Sequence, residues 1–196
     1  GARRAGTRKV VFASSGGTIY GAPGGADLPI KESQPQIPIS PYGVAKKAVG
    51  DYLAAYRELH QLEYTALALA NVYGPRQDPH GEAGVVAIFA GRLLADEPCT
   101  VYGDGEQTRD YVYVDDVVDA FVRASEKGGG LVINIGTGVE TSVNDLYATM
   151  ARVAGVDRAA VLAPAREGEV PRSALDASRA AMQLGWKPWT DLAAGS

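Results

Sequence analysis

Tyr42 and Lys46 stand four residues apart, directly after Ser40-Pro41. In a helix that spacing puts both side chains on one face. An ammonium beside a phenol favours the phenolate and draws its pKa from ~10 toward neutrality. The tyrosine is therefore a candidate general base toward a substrate hydroxyl. Spacing alone fits a solvated helix pair equally well, and the setting decides between the two. An apolar run, Val10 to Ala13, ends in Ser14 and Ser15, with Thr18 two glycines further on. Those hydroxyls fall at the C-terminal edge of an expected parallel strand, where ligands bind in open α/β sheets. Ser14, Ser15, Thr18, Tyr42 and Lys46 are read together as one site.

The elements that must position these residues follow from periodicity. Val10 to Ala13 reads as a buried strand running into a loop, and Ala22 to Pro41 is too rich in proline and glycine for regular structure. Pro41 opens a helix through Leu59, with Val44, Ala48, Tyr52 and Ala55 at helical spacing. Tyr64 to Val72 is a second apolar strand, closed by Gly74-Pro75. Beyond it, helices are expected over Val85 to Leu94 and Val114 to Ser125, and strands over Thr100 to Tyr102 and Leu131 to Ile135. Ser142 opens a last helix, with Asp145 placed to complete its cap. Helices and parallel strands alternate, so the class is α/β. The expected form is a partial doubly wound, Rossmann-type sheet with a smaller α+β domain.

Composition narrows the function. A net charge of −4 argues against a nucleic-acid partner. The single cysteine, Cys99, excludes an internal disulfide and suits a reducing cytoplasm. No run approaches the ~18 apolar residues that cross a bilayer, and the basic first residues precede no secretory core. The expected setting is cytoplasmic, without membrane or nucleic acid.

Four ordered motifs carry a resemblance: Ser14-Ser-Gly-Gly-Thr-Ile-Tyr-Gly21, Ser40-Pro-Tyr-Gly-Val-Ala-Lys46, Asn71-Val-Tyr-Gly-Pro-Arg-Gln77, and the run from Tyr102-Gly-Asp-Gly to Val114-Asp-Asp116. In order and spacing the chain resembles the NAD-dependent epimerase/dehydratase family over nearly its whole length, on the side of the UDP-hexose 4-epimerases. The resemblance implies NAD as cofactor, with Ser14, Ser15, Tyr42, Lys46 and Ala70 against it, Tyr42 as base and Lys46 on the nicotinamide ribose. It implies a UDP-sugar substrate held at Asn71, the backbone around Val86, Thr100 and Tyr102. Arg109 and Arg166 would grip the diphosphate, as guanidinium forks suit phosphate oxygens. Glu169 would bind the nucleotide ribose, and Ser173, four residues on, would line the sugar pocket with room for an N-acetyl group. The complete protein would be a homodimer. Residues 1–73 would form the C-terminal half of the NAD domain and 74–196 mainly the substrate domain, with 114–136 returning to the sheet.

Three departures qualify this. Family members carry Ser or Thr where this chain has Gly16, so the third catalytic hydroxyl passes to Thr18 or Ser15. Ala68-Leu69 replaces a common Arg-Tyr pair. No glycine-rich dinucleotide turn follows a first strand, so the chain reads as starting mid-fold, and by itself is expected to bind NAD poorly. A nucleotide-sugar dehydratase is disfavoured because Gly16-Gly17-Thr18 lacks that group's acidic residues; a catalytically silent nucleotide-binding fragment is the other alternative. His60 and His80 fall at no catalytic position and are read as surface residues. No cluster has metal-ligand spacing, so no metal is expected.

Overall fold

The computed structural model describes residues 1–22, 28–79, 84–166 and 170–195. His80 and Glu169, both singled out above, lie outside the described residues. The centre is a parallel three-stranded sheet in the order β1 (Lys9–Ser15), β2 (Glu63–Leu69), β7 (Leu131–Ile135). Its register runs from Lys9↔Glu63 to Ser15↔Leu69, then from Thr65↔Leu131 to Leu69↔Ile135. All three strands therefore end together, at one C-terminal edge. β1 and β7 are short and carry β-branched residues, whereas β2, with Thr65 alone, is a strand because it is buried between them.

The second apolar run is divided. It pairs as β2 to Leu69, breaks at Ala70, and resumes as β3 (Asn71–Tyr73) beside β6 (Tyr111–Tyr113). The amide of Ala70 still donates to Ile135 O, whereas that of Asn71 donates to Asp110 O. The strand changes partner between two residues, which hydrophobic pattern does not encode. Gly16-Gly17, expected as loop, begin a short helix α1 (Gly16–Ile19). The long helix is α2 (Pro41–His60), with Ser40 at its N-cap. α3 (Val85–Leu94), α4 (Val114–Ala124) and α5 (Val143–Ala154) stand where periodicity places them. Ser142 Oγ accepts from the Asp145 amide at 2.9 Å, as its spacing predicts.

The remaining strands are two- and three-residue pairs: β4 (Thr100–Tyr102) with β9 (Val161–Ala163), and β5 (Thr108–Arg109) with β8 (Thr141–Ser142). A core around Phe89, Val101, Leu146 and Met150 joins α3, β4 and α5. A second core, around Leu67, Ile133, Ala120 and Trp186, seats α4 and α6 (Ser178–Leu184) on the sheet. Asp116 ties the C-terminal tail to α4: its carbonyl accepts from Trp186 Nε1 and its carboxylate from the Trp189 and Thr190 amides. Buried Asn134 fixes the stretch before α2, donating to Ile30 O at 2.9 Å and accepting from the Tyr20 hydroxyl at 2.8 Å. Burial and the nearby Glu32 push that phenol above its ordinary range.

Candidate active site

Ser40 sets the entry of α2, its Oγ accepting from the Gly43 amide at 3.1 Å. Pro41 follows at the first helical position, where its missing N–H costs nothing. Gly43 is required by crowding: a Cβ there would meet Thr18 O at 2.8 Å and Pro38 Cβ at 2.9 Å. The first turn of α2 is thereby pressed against α1, at the end of β1. Tyr42 is half exposed there, at 51%. One turn on, Lys46 Nζ donates to Ala13 O at 2.8 Å and lies 5.1 Å from the Phe12 ring centroid and 5.5 Å from that of Tyr42. The Tyr/Lys pair is therefore not a solvated couple. Its cation is fixed on the backbone of the serine-bearing strand.

The three hydroxyls differ in setting. Alternation puts Phe12 and Ser14 on one face of β1 and Ser15 on the other, so Ser14 shares the side over which Lys46 sits. Ser15 is the N-cap of α1 and makes no capping bond. Thr18 Oγ1 is enclosed and has no partner among the described residues. The glycine at position 16 has a physical reason as well. A Cβ there would come 2.4 Å from Leu175 Cδ1 and 3.1 Å from Ala68 O, and Leu175 is fully buried.

Of the residues expected against a substrate, Val86 is buried in the first turn of α3, its side chain in the core. Thr100 lies opposite Val161 and Tyr102 opposite Ala163. The Arg166 guanidinium stacks 3.9 Å from the Tyr102 ring centroid, which brings two of the residues named for the nucleotide together. Arg109, on β5, donates from Nη1 to Thr108 O at 2.8 Å. Ser173 is buried, its amide donating to Thr108 O at 3.2 Å. Tyr42, Lys46 and Ser14 thus form one group, and Arg109 and Ser173 another.

Sequence reasoning gave no role to the residue that anchors the segments around Arg109 and Ser173. Asp110 is 1% exposed. Its carboxylate accepts from Thr137 N and Oγ1 at 2.8 and 2.6 Å, from Gly138 N at 3.0 Å and from Leu175 N at 3.1 Å. Burial pushes this carboxyl above the ordinary range, and its donors pull it back. One side chain thus connects β5–β6, the loop after β7 and the segment behind Ser173. Its only sequence signal was its place beside Arg109. Glu140 was missed too; its carboxylate bonds Thr108 and Arg172. His60 lies exposed at the end of α2, edge-on to Tyr56.

Two surface depressions lie away from this chemistry. One of about 550 Å³ is lined by Tyr147, Arg152 and Arg158, and one of about 500 Å³ by Val10, Val49, Tyr52 and Leu62. Among the described residues no helix is long and apolar enough to cross a membrane, and no group of three or more His, Cys, Asp or Glu could hold a metal ion.

A sequence model of the NAD dependent epimerase/dehydratase family matches residues 1–136. A UDP-glucose 4-epimerase of Mycolicibacterium smegmatis is 53% identical over 195 residues, covering 99% of this chain and 62% of that protein. Among solved structures, UDP-glucose 4-epimerase of Thermotoga maritima with UDP-glucose superposes at a TM-score of 0.96 with 48% identity, over 99% of this chain and 62% of that one. The Thermus thermophilus UDP-glucose 4-epimerase complexed with NAD gives 0.91 with 40% identity, over 99% and 63%. This chain therefore spans a little under two thirds of the length of these relatives.

Proposed function

The chain belongs to the NAD dependent epimerase/dehydratase family, and on that premise we propose that it supplies the catalytic and substrate-binding portion of a UDP-sugar 4-epimerase. The observation that carries this reading is Lys46, held on Ala13 O beside the Tyr42 ring. Tyr42 is exposed enough to meet a substrate and stands at the edge where three parallel strands end. It removes the proton from the sugar 4-hydroxyl and later returns it. Lys46 places positive charge where the phenol oxygen gains negative charge. With no side chain at Gly16, the third hydroxyl falls to Ser15 rather than to Thr18, whose Oγ1 is enclosed.

The donor set at this edge suits NAD. A fixed ammonium and the Ser14 hydroxyl face one side of β1, and Ala70 follows the end of the neighbouring strand β2. Ser14, Ser15, Tyr42, Lys46 and Ala70 would hold the cofactor, which when bound accepts hydride from sugar C4 and gives it back. Asn71, the Val86 backbone, Thr100, Tyr102, Arg109, Arg166, Glu169 and Ser173 bind the UDP-sugar. Residues 1–73 and 114–136 form the cofactor side, and most of 74–196 the substrate side. The intact protein is a homodimer, a reading supported by Tyr52, Tyr56 and Leu59 exposed along α2, and its single cysteine suits the cytoplasm.

The test is Tyr42→Phe in the intact protein. Turnover of UDP-galactose should fall by ~10²–10⁴ while UDP affinity stays near normal. Retention of most of the turnover would overturn the assignment of the base.

A further inference from the structure

Arg109 and Ser173 sit on a small sheet that is stapled from behind. β5 pairs antiparallel with β8, Thr108 opposite Ser142 and Arg109 opposite Thr141. On the other side of β5, the Thr108 amide donates to Pro171 O at 2.9 Å and the Ser173 amide donates to Thr108 O at 3.2 Å. Those two bonds set Arg172 opposite Thr108 and lay the irregular segment 171–173 alongside β5. Alternation then sorts the side chains: Glu140, Thr108 and Arg172 share one face, and Thr141, Arg109 and Ser173 share the other.

The first face is bonded across all three segments. Arg172 forks onto Glu140, Nε to Oε2 at 2.8 Å and Nη2 to Oε1 at 2.5 Å. Thr108 Oγ1, on the middle strand, donates to the same Oε2 at 2.6 Å. Paired guanidinium–carboxylate bonds fix direction as well as distance. Such a fork is more than β5 needs for its own stability, since β5 is already held by backbone bonds on both sides.

We propose that Glu140, Thr108 and Arg172 are positioning residues that hold Arg109 and Ser173 in register for a nucleoside-diphosphate sugar. This rests on the reading of those two side chains as substrate-facing. Backbone bonds hold β5 in place, and the fork adds a fixed side-chain alignment between segments paired over only two or three residues. Arg172 is half-exposed and Glu140 partly so, so altering them loosens the patch without emptying the core.

The experiment uses the intact protein and four forms: wild type, Glu140→Gln, Arg172→Met and the exchange Glu140→Arg/Arg172→Glu. UDP affinity is measured by calorimetry, KM and kcat with UDP-glucose, and the melting temperature alongside. Each single variant should raise the UDP Kd and the KM by about 3–10-fold, as loss of a partly exposed bidentate pair implies. kcat should change little, the melting temperature should fall by no more than roughly 2–4 °C, and the exchange should recover most of the affinity. Singles that bind UDP like wild type would overturn the proposal. So would a fall in kcat and melting temperature with KM unchanged, or an exchange no better than the singles. A wild type that binds no UDP would instead sink the reading of Arg109 and Ser173, and the staple's purpose with it.

Discussion

Asparagine at position 110 keeps the shape of the aspartate and replaces one acceptor oxygen with an amide NH₂. In the native structure Oδ1 accepts from Thr137 N and Oγ1, and Oδ2 from Gly138 N and Leu175 N. Either orientation of the amide turns two hydrogens toward two donors. The better one faces Thr137, whose hydroxyl can rotate to accept, and strands only the Thr137 amide. An unsatisfied buried donor costs about 1–3 kcal/mol, and each surviving bond weakened from charged to neutral loses about 1 kcal/mol more. Relief from burying a carboxylate offsets part of this, since burial already pushes the Asp110 carboxyl upward. The net is about 2–4 kcal/mol, or a melting temperature lower by roughly 5–15 °C for a domain of this size. Differential scanning calorimetry and urea unfolding of the intact protein measure it. A shift below about 2 °C, or a gain in stability, would show that Asp110 is not the clamp described and that its donors find other acceptors.

Three further outcomes are expected. Ser173→Tyr should lower kcat/KM for UDP-N-acetylhexosamines by ~10–200-fold relative to the plain hexoses, as a ring fills space beside Arg109; an unchanged ratio would show that Ser173 does not gate the 2-substituent. Thr18→Val should raise the melting temperature by roughly 2–4 °C, because it removes an enclosed hydroxyl with no partner among the described residues; a lower value would mean that the hydroxyl is bonded. The Arg172 fork first, then the Thr108 hydroxyl, hold the Glu140 carboxyl below the ordinary range. The stability this contributes is therefore complete above the unfolded glutamate value of ~4.3 and lost as pH falls through the depressed native value. The melting-temperature gap between wild type and Glu140→Gln should hold from neutral pH down to about 5 and close below about 4; a gap that widens in acid would contradict the pairing.

The start of α2 is wholly local, and the sequence by itself determined it. Ser40 caps, Pro41 begins the helix, and Tyr42 and Lys46 share a face because four residues make about one turn. The same holds for Ser142 and Asp145 at α5, and for strands short and apolar enough to be buried. Such signals act over three or four residues and survive without knowledge of the partner. What lies opposite a residue is another matter. The change of partner at Ala70, the closing of Gly16 by Leu175, the four donors on Asp110 and the fork of Arg172 onto Glu140 each join segments far apart in the chain. Nothing in the residues flanking Gly16 states that a leucine from the C-terminal segment will occupy the space above it, and nothing beside Glu140 names Arg172. Those pairings exist only when the strands have been laid side by side, because close packing and bond direction between distant segments select them. The Tyr42/Lys46 pair was legible in the chain; the framework around Arg109 and Ser173 came from the tertiary structure.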